Sequence, residues 1–198
     1  MDPAETGKMY DKIAKWWHDY HLNSDYGLAQ IKRAISYSSN RGSALDVGCG
    51  SGGRVIKELV SAGFKVTGID VSEKMIELAR ANHPDVDFLV QDISTWQTDQ
   101  KHDLIVAWDS IFHLPLQMHA PVLAKLCNML TQNGILIYTF GDDASGEHLS
   151  NWHNDQFYYS TIGIDGNLKA IMESNCQCRH LELDQFPQNH TYIIVQKK

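Results

Sequence analysis

Between residues 43 and 140 the chain alternates short apolar runs with longer stretches whose apolar residues recur every three to four positions. Ala44 to Val47 reads as a buried strand, and Val55, Ile56, Leu59 and Val60 then make one helical stripe that Gly63 closes. Phe64 to Ile69 is a second strand. Ser72 caps a helix carrying Met75, Ile76, Leu78 and Ala79, which ends before Pro84. Val86 to Val90 and Leu104 to Trp108 are the third and fourth strands. A helix near Pro121 to Leu130, stopping at Asn133-Gly134, leads to a fifth strand from Ile135 to Phe140. Repeated strand-helix-strand units require right-handed crossovers, so this pattern predicts an α/β fold with a mostly parallel sheet covered on both faces.

The flanks depart from the alternation. A helix near Leu168 to Ser174 precedes two strand-like runs, Gln177 to Asp184 and Thr191 to Val195, separated by Pro187-Gln188-Asn189. That is a hairpin, and its last strand is expected to run antiparallel at one side of the sheet. Tyr10 to Tyr20 and Leu28 to Tyr37 read as helices ahead of the sheet, placed to cover a ligand. With 198 residues the chain is sized for one domain. Its parts would be a helical cover over 1–42, a ligand-binding core over 43–140, and a lid with the hairpin over 141–198.

Composition removes several classes. A net charge of −7 disfavours general binding to nucleic acid, whose phosphates demand a positive surface. No apolar run approaches the length of a membrane span. The opening Met1-Asp2-Pro3-Ala4-Glu5 lacks the basic start and apolar core of a secretory leader, so a cytoplasmic protein is expected, without membrane attachment. Cysteines 49, 127, 176 and 178 do not form a secreted disulfide framework and are expected as free thiols.

A parallel α/β sheet binds ligands beyond the carboxyl ends of its strands. Asp46, Asp70, Asp92 and Asp109 fall at or just past four successive ends, with a glycine run between the first two. Gly48, Gly50 and Gly52 allow a tight turn and a close approach of backbone to ligand, with Cys49 as a spacer. The following helix N-terminus offers free N–H groups to a carboxylate. Asp70 is placed to accept hydrogen bonds from two ribose hydroxyls, and Asp92 from an adenine amino group, with Val71 and Ile93 as an apolar slot for the ring.

In this arrangement the chain resembles the class I S-adenosylmethionine-dependent methyltransferases of the small-molecule type. Leu45 to Gly52, Gly68 to Ser72 and Gln91 to Ile93 are similar to that family's first three motifs, in order. The resemblance is strongest over 43–140. Tyr10 to Ala14 with Trp16-Trp17 resembles the family's cover over the methionyl group. It implies a Rossmann-like three-layer sandwich with a seven-stranded sheet, and S-adenosylmethionine as cofactor with S-adenosylhomocysteine as product. Met75 and Trp108 join Tyr10 and the loop residues as expected cofactor contacts. The glycines also satisfy the pattern of a nicotinamide-binding oxidoreductase, and a non-catalytic cofactor-binding module is a further alternative. Asp46, Asp92 and the terminal hairpin favour the methyltransferase.

Methyl transfer asks the protein for alignment and exclusion of water rather than for a metal, and none is expected. Neither His-Glu-x-x-His nor paired Cys-x-x-Cys occurs. Asp109 and His113 are the candidate catalytic pair: four apart, they share a face if the segment is a helical turn, and the acid then orients the imidazole as a general base. The alternative is that each satisfies its own loop. The stretch from Gly141 to Gly163 reads either as a substrate lid or as a cluster packed on the sheet. Trp17, His113, Trp152, His153, Tyr158 and Tyr159 are the expected contacts to a small-molecule acceptor. Oxygen, nitrogen, sulfur and carbon acceptors all remain open, as does the oligomeric state.

Overall fold

The computed structural model describes residues 1–198. The chain opens with α1 (Pro3–His21) and α2 (Leu28–Tyr37), then runs β1 (Ser43–Val47), α3 (Arg54–Ser61), β2 (Lys65–Asp70), α4 (Glu73–Asn82), β3 (Asp87–Val90) and β4 (His102–Ala107). Two short 3₁₀ turns lead into α5 (His119–Asn128) and β5 (Leu130–Phe140). A separate hairpin of β6 (Gly146–Trp152) and β7 (Asp155–Thr161) follows, then α6 (Gly163–Glu173), β8 (Cys176–Glu182) and β9 (Thr191–Lys197).

The main sheet has seven strands in the order β3-β2-β1-β4-β5-β9-β8. The first five are mutually parallel, and β9 pairs antiparallel with both β5 and β8. Strand geometry alternates side chains between the faces. Leu45, Ile105, Leu136 and Ile193 pack under α5 and α6, while Ala44, Leu104, Ile135 and Ile194 pack under α2 and α3. The result is three layers around two apolar cores. No helix is long and apolar enough to cross a membrane, and the four cysteines are unpaired.

Besides the β6–β7 hairpin, which the sequence reading did not contain, three helices differ from it. α5 stops at Asn128, ahead of Asn133-Gly134, and Asn133 (φ 62°) lies inside β5, close to where the pairing with β4 shifts register between His102 and Leu104. α6 begins at Gly163, before Leu168, because Asn167 is fully buried with both ends of its amide satisfied. Its Nδ2 donates to the Gly163 carbonyl at 2.8 Å, and its Oδ1 accepts from the Tyr138 hydroxyl at 3.1 Å. α2 does not cover the ligand site. Its Ile31 and Ala34 are wholly buried among residues of α3 and the far face of the sheet, and burying an isoleucine this way is worth about 2–3 kcal/mol.

α1 alone forms the cover. Asp2 and Glu5 make a capping box and Pro3 sits in the first turn, fixing its start. It then passes so close to the loop after β2 that a Cβ on Gly7 would lie 2.7 Å from the Val71 carbonyl oxygen. Asp11 fastens it further: its Oδ1 accepts from the Ser72 hydroxyl at 2.6 Å and from the Lys74 N–H at 3.0 Å, at the start of α4.

Candidate active site

The glycine loop is tied to its neighbour strand. The N–H groups of Gly48 and Cys49 both donate to the Ile69 carbonyl, at 2.8 and 3.0 Å. Gly48 has φ 73°, and a Cβ there would sit 2.3 Å from Cβ of Ser110, so the turn after β1 admits no side chain. Asp70 closes the loop from the other side: its Oδ2 accepts from the Gly50 N–H at 2.8 Å and its Oδ1 from the Ser72 N–H at 2.9 Å. Burial raises the Asp70 pKa, against the pull of those backbone donors. α3 then starts at Arg54 with no side chain capping it, leaving its first N–H groups open to an anion.

A cavity with about 1230 Å³ of empty space, mouth included, lies between this loop and α1. Asp46 stands in its wall, 3% exposed, and makes no side-chain hydrogen bond. Burial and then the neighbouring charge of Asp70 push its pKa up to about 7, partly offset by Arg54. Val71, Met75, Asp92 and Ile93 line the far end. Asp92 accepts from both the N–H and the hydroxyl of Ser94, at 2.8 and 2.7 Å, which shapes the turn after β3. That turn is also held from α5, where Lys125 Nζ donates to the carbonyls of Ile93, Ser94 and Trp96. The indole N–H of Trp108 and the hydroxyl of Ser110 are buried in the protein without a partner, and both residues line this cavity.

A second, more open cavity is walled by the β6–β7 hairpin, the loop after β5 and the β8–β9 connection. Tyr10, Trp17, Asp109 and His113 line both cavities, so these four residues mark where the two meet. His113 lies in a 3₁₀ turn, and its partners are not the expected ones. Its Nδ1 donates to the Tyr158 carbonyl at 2.8 Å, and its Nε2 therefore accepts from the Tyr10 hydroxyl at 2.9 Å. Burial lowers its pKa to about 4, so the ring is neutral at pH 7.

Asp109 turns elsewhere. Its Oδ1 accepts from His190 Nε2 at 3.0 Å, and His190 Nδ1 meets Asp184 Oδ1 at 2.6 Å. Burial opposes a charge on His190, but the two carboxylates outweigh it and the pKa rises above the ordinary 6.5. Below that raised pKa an imidazolium between two acids clamps the β8–β9 connection to the loop after β4. Its stabilisation is complete below the unfolded pKa and fades as pH rises through the raised folded value. Replacing His190 with alanine is expected to lower unfolding free energy at pH 6 by roughly 2–3 kcal/mol, because two acids lose their shared cation. The deficit should shrink at higher pH. Urea unfolding at pH 6 and 9 reads both, and equal midpoints for the two proteins at pH 6 would show the clamp to be idle.

The expected cofactor residues converge, with one exception. Tyr10, Asp46, Gly48, Cys49, Gly50 and Asp70 line the first cavity, as do Val71, Met75, Asp92, Ile93 and Trp108. Gly52 does not: a Cβ there would press on Ala79 and Phe88, so its place is in the packing of the loop on α4 and β3. Among the acceptor candidates, Trp17, His113, Trp152 and Tyr159 line the second cavity. Tyr158 and His153 lie outside it. The Tyr158 hydroxyl is taken by Glu147 and the Leu116 N–H, while His153 sits in the hairpin turn with its ring 4.0 Å from that of Trp16. The supposed Asp109–His113 pair is corrected to Asp109–His190 and Tyr10–His113. Asp184, His190 and Arg54 were missed, and nothing local to their sequence signals them.

The strand order, with one antiparallel strand inserted beside β5, defines the class I methyltransferase architecture rather than the all-parallel nicotinamide-binding one. Residues 44–134 match the family of methyltransferase domains. Over 127 residues the chain is 32% identical to the ubiquinone biosynthesis O-methyltransferase of Coxiella burnetii, covering 58% of this chain and 53% of that one. It is 36% identical over 103 residues to the trans-aconitate 2-methyltransferase of Methylobacterium radiotolerans, covering 50% and 38%. The matches thus span about half or less of these relatives' length. In fold it is similar to magnesium protoporphyrin IX methyltransferase from Synechocystis PCC 6803, solved with bound S-adenosylmethionine, at a TM-score of 0.77 and 15% identity over 100% of this chain and 98% of that one. Residues 44–134 thus match the methyltransferase domain, and the whole chain shares the fold of S-adenosylmethionine-dependent methyltransferases.

Proposed function

We propose that this protein transfers a methyl group from S-adenosylmethionine to a small molecule, with the cytoplasm as its place of work. The observation that carries the reading is the meeting of two cavities at Tyr10, Trp17, Asp109 and His113. The first cavity fits the cofactor group by group. Open N–H groups at the start of α3 suit its carboxylate, and the unpartnered Asp46 suits its ammonium. Asp70 suits the ribose. The slot between Val71, Met75 and Ile93 suits the adenine, and the orphaned donors of Trp108 and Ser110 await a polar ligand.

When bound, S-adenosylmethionine supplies an electrophilic methyl group. The chain's residues supply position and dryness. Tyr10 is held by His113 with its ring at the junction, and Trp17 meets it edge to face at 5.7 Å, so aromatic faces border the place where a sulfonium would lie. Apart from aligning the reactants, these rings keep water from the transfer. His113 acts here by orienting Tyr10, since both of its ring nitrogens are engaged.

Calorimetric titration tests the reading. Micromolar binding of S-adenosylmethionine and none of NAD is expected, followed by formation of S-adenosylhomocysteine with members of a metabolite library. Tight NAD binding with no response to S-adenosylmethionine would overturn it. Bound cofactor with no product from any acceptor class would make the protein a cofactor-holding module instead.

A further inference from the structure

Charge of one sign dominates the acceptor cavity. Carboxylates of Asp109, Asp143 and Glu147 reach its lining, and no lysine or arginine does. Even with His190 protonated, the lining is net negative. An acceptor bearing a carboxylate or phosphate would meet one cation at most, His190, which Asp109 and Asp184 already engage, and would lose its hydration with little compensation. The rest of the wall includes aromatic rings, among them Trp17, Phe112, Trp152 and Tyr159, whose faces attract cations as well as apolar groups.

Asp109 is set apart from the other two acids by its position and its backbone. It lines both cavities, and its φ of 51° puts a non-glycine residue in the left-handed region, a conformation that costs energy and gathers at functional sites. Thr139 holds it there: the Asp109 N–H donates to the Thr139 hydroxyl at 2.8 Å, and that hydroxyl donates back to Oδ1 at 3.1 Å. The contact from His190 falls on the same oxygen. The Tyr26 hydroxyl also reaches this carboxylate and the Arg54 charge acts on it from the first cavity, while Oδ2 takes neither the Thr139 nor the His190 contact.

We propose that the methyl acceptor is a small amine on an apolar or aromatic body, bound as its cation by Asp109 where the two cavities meet. The inference rests on the methyltransferase reading and narrows its four acceptor elements to nitrogen. The transfer balances: the ammonium held by Asp109 loses one proton to water at the cavity mouth. The freed lone pair forms the N–C bond while the C–S bond breaks with its electron pair on sulfur. The product leaves as the methylated ammonium.

Binding to protein loaded with S-adenosylhomocysteine tests this without turnover. Phenethylamine, phenethyl alcohol and hydrocinnamate serve as matched probes of similar body and different charge. The amine should bind at least tenfold more tightly than the alcohol, with the acid weakest. Asp109→Asn, which keeps shape and tolerates the left-handed backbone, should bring the amine's affinity down to that of the alcohol. The wild-type ranking stands as evidence by itself if that variant folds poorly. Absent or equal binding of the amine, preference for the acid, or a folded Asp109→Asn protein that still prefers the amine would each overturn the inference and leave the methyltransferase reading intact. Failure of S-adenosylhomocysteine itself to bind would sink both.

Discussion

Gly48→Ala is expected to weaken S-adenosylmethionine binding by two orders of magnitude or more. Two costs add. A left-handed backbone costs an alanine about 1–2 kcal/mol, and the new Cβ would stand 2.3 Å from Cβ of Ser110, a contact that a rigid neighbour cannot yield to without moving the loop. Moving it breaks the pair of hydrogen bonds to the Ile69 carbonyl that aims the loop into the cavity. The double variant Gly48→Ala/Ser110→Gly removes the clash and keeps the backbone cost, so it should recover part of the affinity. Calorimetry on the three proteins separates the terms. Wild-type affinity in the single variant would mean that the loop does not touch the ligand.

Asp46→Asn should act on binding and stability in opposite directions. In the free protein burial holds the Asp46 pKa at about 7, above its ordinary 3.8. A raised acid stabilises the folded state at low pH and loses that contribution as pH rises from about 4 to about 7. At pH 8 the carboxylate is charged and unpartnered, and a neutral amide of the same shape relieves it. Asp46→Asn should therefore melt higher than wild type at pH 8 when empty, the trade that functional residues commonly make. Its affinity for the cationic cofactor should fall by about tenfold to a hundredfold. Wild-type affinity should rise with pH up to about 7 and then level, while the variant's should stay flat. A variant that binds as well as wild type at pH 8, or that retains the rise with pH, would show that Asp46 does not meet the cofactor's positive charge.

What could be read from the sequence follows from what is local. The five parallel strands, the glycine turn and the acids after successive strands all depend on neighbours a few residues away, and these formed as expected. The β6–β7 hairpin escaped because its turn is His153-Asn154, with φ values of 47° and 65°, where the usual signal is a glycine. β6 is also polar and mostly exposed, so it lacks the apolar alternation of a half-buried strand. The partners of Asp109 and His113 escaped for a different reason. His190 lies 81 residues from Asp109 and Tyr10 lies 103 residues from His113, and spacing arguments reach no further than one helical turn. A four-residue interval suggested a pair, but the left-handed backbone at Asp109 sends its side chain toward β5 and the C-terminal connection instead.

α1 is a wall common to two rooms. On one flank Asp11 fastens it to the start of α4, and on the other Lys12 pairs with Asp155 of the hairpin at 2.7 Å, while Trp16 and Trp17 lean on Trp152. A helix held this way cannot swing out over the cofactor without also unroofing the acceptor. Any movement of α1 that opened one cavity would therefore open the other with it.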